Sequence, residues 1–335
     1  THYSGPISHT HITHTHTRQS NHTPSHSQTP ASAQHTIAQM SSTVERSTRI
    51  PFKEGHFSKI EKCFDENKQV TGDDVGLEGR TKGKVRDQYI YPNSIVLLTT
   101  DRQSGFDRSL ASVPYKGAVL NQISNFWFTK TSHIIPNHII STPHPNVTVG
   151  MKCKPFPIEM VVRAYVTGST DTSIWKNYEK GVRNYCGIEL PEGMKKNQKL
   201  WDVLFTPTTK DEHDRPISCD EIISEGYMTK EDLEYCKDKC IEVFKCGQEW
   251  AAGKGLILVD TKFECGKDSD GCIRLIDEVM TPDSSRYWIS STYEDRISQG
   301  KEPENIDKEF LRLWFRENCD PYKDEVLPDA PKDLV

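Results

Sequence analysis

The chain has 335 residues, enough for one large or two ordinary domains with a substantial core. Its formal net charge of −6 argues against a broad nucleic-acid footprint, and no apolar run reaches the length of a membrane span. Ten cysteines are scattered without a CxxC pair, a pattern of reduced intracellular thiols rather than of a disulfide framework.

Residues 1–44 are a low-complexity tail of Ser, Thr, His, Gln and Pro with no Asp or Glu, and they hold eight of the 13 histidines. Such a segment buries too little apolar surface to fold and is expected to be disordered. Its lack of acids partly resembles an organelle leader, and Met40 is a candidate start. From Lys59 the pattern becomes globular. Thr81–Tyr89 follows, with Gly83 between Lys82, Lys84 and Arg86. A glycine lets backbone approach a phosphate closely, and the cations suit it. Taken alone, this stretch reads as an exposed basic turn.

Ser94–Thr100 reads as a short apolar strand running into the polar loop Asp101–Asp107, a place where ligand-binding residues often sit. Gly117–Thr131 reads as a helix with Leu120, Ile123, Phe126 and Trp127 on or near its core face. Residues 132–157, with five prolines, read as loop. Ile158–Val166 reads as a strand broken by Thr167-Gly168-Ser169. Arg163 within it needs an acidic neighbour or an anionic ligand, because a buried unpaired charge is costly.

Asp171–Gly181 reads as a short helix that buries Ile174, Trp175 and Tyr178 and stops at Gly181. Phe205–Ser218 is a loop rich in hydroxyls and charge. Ser218-Cys-Asp-Glu221 matches a capping box, and Thr229 caps a helix to about Gly253. Leu233, Cys236, Cys240, Ile241, Phe244 and Trp250 are expected on that helix's inner side. Cys236 and Cys240 lack a nearby His, so core packing is preferred to zinc.

Gly255–Trp288 organises the rest. Leu256–Val259 opens a strand, and Asp260, Lys262 and Glu264 follow as polar residues. Lys267–Gly271 forms a turn, and Cys272–Ile276 returns as a second strand. This hairpin brings Glu264 roughly opposite Asp277, and two neighbouring carboxylates imply a cation between them. A solvated hairpin with scattered acids is the alternative on this stretch alone. Asp307 is expected to cap a helix carrying Phe310, Leu311, Trp314 and Phe315, and Asp329–Val335 looks like the start of another.

Seven motifs, in order, resemble those of the SAICAR synthetase family: GKVRD (83–87), TDRQSGFDR (100–108), KGAVLNQISNFWF (116–128), VVRAYVTGS (161–169), FTPTTKDE (205–212), DTKFECG (260–266) and DEVMTPDSSRYW (277–288). The resemblance runs from about Gly79 to the C-terminus and is nearest to the single-function plant or bacterial type. It implies a two-lobed α+β or α/β fold with a kinase-like or ATP-grasp-like nucleotide site. By residue number the parts are a tail at 1–44, a sheet-rich ATP-binding lobe at 45–157 and a larger α/β lobe at 158–335.

The implied reaction is the ATP-dependent joining of L-aspartate to carboxyaminoimidazole ribotide in purine biosynthesis, through an acyl phosphate, yielding SAICAR, ADP and phosphate. The resemblance places Gly83, Lys84, Val85 and Arg86 over the ATP phosphates, and the backbone near Glu159 and Met160 beside adenine. It assigns Mg²⁺ to Glu264 and Asp277, and it puts Lys262, Lys84 and Arg86 at the reaction centre. It sets Arg163, Ser169 and Arg286, with Asp101, Arg102 and Asp107, around the ribotide or aspartate. The partners implied are these small molecules, with no nucleic acid and no membrane; the oligomeric state is left open. The expected address is the cytoplasm, or a plastid if residues 1–44 are a transit peptide. Cys265 stands where the family commonly has Phe, and the family's last helix usually continues past PKDLV. A kinase-like small-molecule phosphotransferase and a non-catalytic nucleotide-binding module are the rival readings.

Overall fold

A computed structural model describes residues 79–106, 108–211 and 214–331 of the chain. The tail at 1–44, the onset of globular pattern at Lys59, Asp107 and residues 332–335 lie outside them.

The described chain begins with β1 (Arg80–Lys82), β2 (Arg86–Ile90) and β3 (Ser94–Thr99). A ribbon of β4 (Arg102–Gly105) and β5 (Arg108–Ser112) occupies the polar stretch expected as loop. Helix α1 (Lys116–Lys130) follows, then β6 (Ile139–His144) and β7 (Val147–Met151). These last two strands correct the reading of 132–157 as loop. Pro143 and Pro145 mark the bend of the ribbon rather than the absence of strands, while Val147 and Val149 are fully buried. Together β1-β2-β3-β7-β6 form a five-stranded antiparallel sheet.

The second half contains β8 (Lys154–Pro155), β9 (Ile158–Tyr165), α2 (Ile174–Glu179), β10 (Asn184–Tyr185), β11 (Ile188–Glu189), β12 (Lys199–Phe205) and β13 (Thr208–Thr209). It continues through α3 (Cys219–Ser224), α4 (Lys230–Ala252), β14 (Leu256–Lys267), β15 (Ile273–Ile276), β16 (Ser285–Ile289), α5 (Ser290–Ser298) and α6 (Glu309–Asn318). A seven-stranded sheet is built around β14, which pairs with β9, β16, β15 and β8 along its length.

The period of two along β14 separates its faces. Val259, Phe263 and Cys265 are fully buried and join the core that α4 covers with Cys236, Cys240, Val243 and Phe244. Burying Phe263 or Val259 contributes about 1.5–3 kcal/mol each. Cys240 and Cys265 meet with their sulfurs 3.9 Å apart, so the helix cysteines are core residues. The alternate residues Asp260, Lys262 and Glu264 face the other way and build the candidate site.

Helix ends follow the expected chemistry. Ser218 and Glu221 form a complete capping box, and the Thr229 hydroxyl accepts from the Asp232 N–H at 3.2 Å. Asp307 accepts from the Glu309 N–H at 2.7 Å, although Lys308 is the residue at the cap position of α6. Two packing expectations fail. Phe126 and Trp250 are 46% and 38% exposed and lie against each other, ring centroids 5.4 Å apart, outside the core.

Candidate functional site

Glycine forms the turn between β1 and β2 for a steric reason. A Cβ at Gly83 would lie 2.4 Å from the Arg86 carbonyl oxygen, which the Gly83 N–H already binds at 2.8 Å. Arg102 braces the turn from outside, donating to the carbonyls of Gly83 at 3.0 Å and Lys84 at 3.2 Å and to Asp87 Oδ1 at 2.6 Å. The Val85 carbonyl accepts from the Thr100 N–H at 3.0 Å.

Arg86, first residue of β2, reaches across to the second sheet. Its Nη1 donates to Glu278 Oε1 at 3.1 Å and lies 3.5 Å from Asp277 Oδ1, while Nη2 stands 2.7 Å from Glu278 Oε2, off the line of a hydrogen bond. Burial opposes the Arg86 charge, but Glu278 and Asp277 outweigh it and raise its pKa.

On the site face of β14, Lys262 Nζ bridges Glu159 Oε1 at 3.0 Å and Glu264 Oε1 at 2.9 Å. The second oxygen of Glu264 accepts from Lys210, and that of Glu159 from Thr208 Oγ1 at 3.0 Å. Burial resists ionisation of Glu264, yet Lys262 and Lys210 bring its pKa down to about 2. Burial works against the Lys262 ammonium, but Glu264, Glu159 and Asp277 hold its pKa well above the lysine value. Asp277 is raised to about 6: burial, Glu264 and Glu278 prevail over Arg86 and Lys262.

The hairpin register differs by one residue from expectation. Glu264 pairs with Ile276, and Asp277 lies just past the strand end in a left-handed conformation, φ +64°. That turn leaves Asp277 within the electrostatic reach of Glu264 and Lys262 as well as of Arg86. The glycine turn, both expected metal acids and Lys262 therefore share one neighbourhood.

The residues fit a hard divalent ion that takes most of its oxygens from phosphate. Two oxygen donors stand close enough to repel, and one is left with a raised pKa. Among the described residues, no group of three or more His, Cys, Asp or Glu side chains is arranged to enclose a metal alone.

A second cluster lies further along the same face. Asp260 is paired in register with Arg163 on β9 and Arg286 on β16. Its Oδ2 is 3.1 Å from Arg163 Nη1 and 2.8 Å from Arg286 Nη1. Arg163 also donates to Thr206 Oγ1 at 2.9 Å, so its need for a partner is met first by an acid. Arg286 lines a cavity of about 430 Å³ with Gly168, Ser169, Lys196, Glu309 and Arg316, and its buried Nε has no hydrogen-bond partner among the described residues. Gly168 has φ +109°, and a Cβ there would lie 2.4 Å from Ser173 Cβ. Ser169 Oγ donates to Glu309.

Other expected residues have different neighbours. Asp101 is buried at the start of α1, where it accepts from the N–H groups of Gly117 at 2.9 Å and Tyr115 at 3.3 Å. The guanidinium of Arg102 is turned to the glycine turn, as above. The Met160 side chain is fully buried in the core, whereas the Glu159 carboxylate belongs to the lysine cluster. Reasoning from the sequence missed Asp260, Lys210, Glu278 and Glu309. Asp260 had a signal, the alternation Asp-Thr-Lys-Phe-Glu; Lys210 had none, since its loop is adjacent only in space.

Residues 80–328 match the family model described as SAICAR synthetase. The chain is 57% identical over 279 residues to a chloroplastic phosphoribosylaminoimidazole-succinocarboxamide synthase of Vigna aconitifolia, covering 83% of this chain and 82% of that one. It is 59% identical over 255 residues to the phosphoribosylaminoimidazole-succinocarboxamide synthase of Legionella pneumophila (strain Paris), covering 76% and 82%. Its fold is similar to that of a solved SAICAR-synthase from Saccharomyces cerevisiae complexed with SAICAR, with a TM-score of 0.66, 30% identity and coverage of 77% and 91%.

Proposed function

The chain belongs to the SAICAR synthetase family, whose ATP-dependent ligation makes SAICAR in purine biosynthesis, and we propose that it performs this ligation on the polar face of β14. One observation carries the reading: Arg86, three residues past Gly83, is ion-paired with the Asp277–Glu278 acids. A phosphate held at the glycine turn therefore stands beside the carboxylate–lysine cluster. A small-molecule kinase is disfavoured by the family itself.

ATP lies with its phosphates under Gly83, Lys84 and Val85, between the lobe of the five-stranded sheet and the lobe of the seven-stranded sheet. Adenine lies near Glu159 and Met160. The acceptor ribotide occupies the cavity lined by Arg286, Ser169, Lys196 and Arg316, whose cations suit an anionic ligand. Arg163 supports Arg286 through their shared Asp260.

A carboxylate is a poor acyl donor because oxide is a poor leaving group. The acceptor carboxylate oxygen attacks the γ-phosphorus, the bond to the β-phosphate oxygen breaks, and ADP leaves. The aspartate amine then attacks the acyl carbon, loses a proton, and phosphate departs. Lys262, Lys84 and Arg86 offset the developing negative charge, so positioning and electrostatics supply the rate. Magnesium, held by Glu264 and Asp277 with the ATP phosphates, would supply further charge neutralisation. Asp101 and Arg102 act from the nucleotide side instead, Arg102 holding the glycine turn and Asp101 the start of α1.

The test is ADP release assayed with and without L-aspartate, with and without the ribotide, and across a magnesium titration. The reading requires steady release to depend on all three. Release that ignores aspartate would sink it, and full activity in excess chelator would remove the metal assignment. The chloroplastic relative and the acid-free tail support a plastid address. A reporter fused to residues 1–60 that stays in the cytosol would refute that address.

A further inference from the structure

Asp283, inside the Thr281–Arg286 segment, has no part in the chemistry described above, yet its buried carboxylate stands between lysines from distant parts of the chain. Its Oδ1 is 3.1 Å from Lys116 Nζ and 3.4 Å from Gln103 Nε2, and its Oδ2 is 3.0 Å from Lys308 Nζ. Burial opposes the Asp283 charge, but Lys308 and Lys116 hold its pKa well below the carboxylate range. Its partners are buried too; burial brings Lys308 down to about 8 against the pull of Asp283. A carboxylate gripped this way, away from water, has little positional freedom.

Each lysine leads to a different half of the site. Lys116 Nζ also donates to the Arg102 carbonyl at 3.1 Å, and the Arg102 side chain holds the carbonyls of Gly83 and Lys84. Lys308 immediately precedes Glu309, the first residue of α6. The Glu309 carboxylate accepts from Ser169 Oγ, and it lies 3.8 Å from Arg286 Nη2. From Asp283, one arm thus ends at the glycine turn and the other at the cavity wall.

We propose that Asp283 is a positioning residue that holds the nucleotide turn and the acceptor cavity in one frame, through Lys116 on one side and Lys308 on the other. The proposal rests on the assignment of ATP to the glycine turn and of the ribotide to the cavity. Its consequence is a division of labour. Loss of the Lys116 arm loosens the hold on ATP, loss of the Lys308 arm loosens the hold on the ribotide, and loss of Asp283 loosens both. Small misplacements of this kind are felt strongly in a reaction that depends on alignment.

The test is steady-state kinetics of the full chain, with both KM values measured for Lys116→Met, Lys308→Met and Asp283→Asn. Lys116→Met is expected to raise the KM for ATP about fivefold or more while the ribotide KM stays within about twofold, and Lys308→Met the reverse. Asp283→Asn raises both. A general loosening of the fold would move both KM values together in each lysine variant, and that result, or no change in either, overturns the proposal. If Asp283→Asn fails to fold, the split between the two lysine variants decides. Lys84→Ala and Ser169→Ala report on the underlying site. If they leave the ATP and ribotide KM values unchanged, the site assignment fails and takes the proposal with it. If they respond while the lysine variants do not, only the proposal fails.

Discussion

Glu264 accepts from Lys262 and Lys210 and feels Asp277. Replacing it by Gln removes one charge while Lys262 keeps Glu159, so the fold is expected to survive. Turnover should fall by about 10²–10³, the usual loss when a charge-stabilising group is removed. Circular dichroism together with kcat at saturating magnesium checks both halves, and wild-type turnover would refute the metal role. Arg86→Met is a different kind of change. It leaves the buried Glu278 and the half-buried Asp277 without their arginine, and should destabilise by about 3 kcal/mol in a denaturant titration. At this scale Arg163 was legible because a charge within an apolar strand requires a partner, and Glu264 and Asp277 because a hairpin sets them near each other; Asp260, Glu278 and Glu309 were not. Nor was Lys210, since nothing local in Phe205–Ser218 points to Glu264.

The glycine turn and the helix caps make separable predictions. A methyl group at Gly83 would meet the Arg86 carbonyl at 2.4 Å, so the turn must open to admit it. Gly83→Ala is therefore expected to raise the KM for ATP and leave the ribotide KM nearly unchanged in the same assay. Ser218→Ala removes the reciprocal cap of α3, a helix that contributes no side chain to the candidate site. It should cost about 1 kcal/mol of stability and leave kcat unaltered, checked by thermal melting alongside turnover. Elements with their own signals were readable: α4 with its cap and apolar face, α1, and the strand that became β9. The ribbon β6–β7 was not, because its strands are short, proline-flanked and stabilised by pairing with β3. Phe126 and Trp250 sat at helical spacing for the core and still ended outside it, since periodicity gives a face but not its width.

The two sheets are tied together near His138. Its N–H donates to the Leu275 carbonyl of β15 at 3.2 Å, its carbonyl accepts from the β7 residue Met151 at 2.7 Å, and its ring lies against Phe128. Burial, with Arg274 and Arg86 nearby, lowers its pKa from 6.5 to about 4. The unfolded chain therefore binds a proton between those values that the folded chain refuses. Stability present above pH 6.5 is lost as pH falls toward 4, by up to about 3 kcal/mol. Asp307, raised by burial to about 6, contributes a slope of opposite sign. Comparing wild type with His138→Gln isolates the histidine, because the other groups are common to both. Denaturant titrations from pH 7 to 4 should show the gap between the two narrowing on acidification, and a constant gap would refute the burial argument.

The sequence by itself determined the family, through seven ordered motifs, and the elements with their own local signals, among them α1, β9 and α4. It also put Glu264 near Asp277 through the hairpin, while the extension of β14 to Lys267, which sets Asp260, Lys262 and Glu264 on one face, came only with the structure. Only the tertiary structure decided the partners. The left-handed turn at Asp277 set which acid meets Arg86, the register of three strands gave Asp260 two arginines, and the packing of α6 brought Lys308 to Asp283. Those contacts join residues far apart in the chain, and their geometry depends on how whole elements pack, which no local pattern encodes.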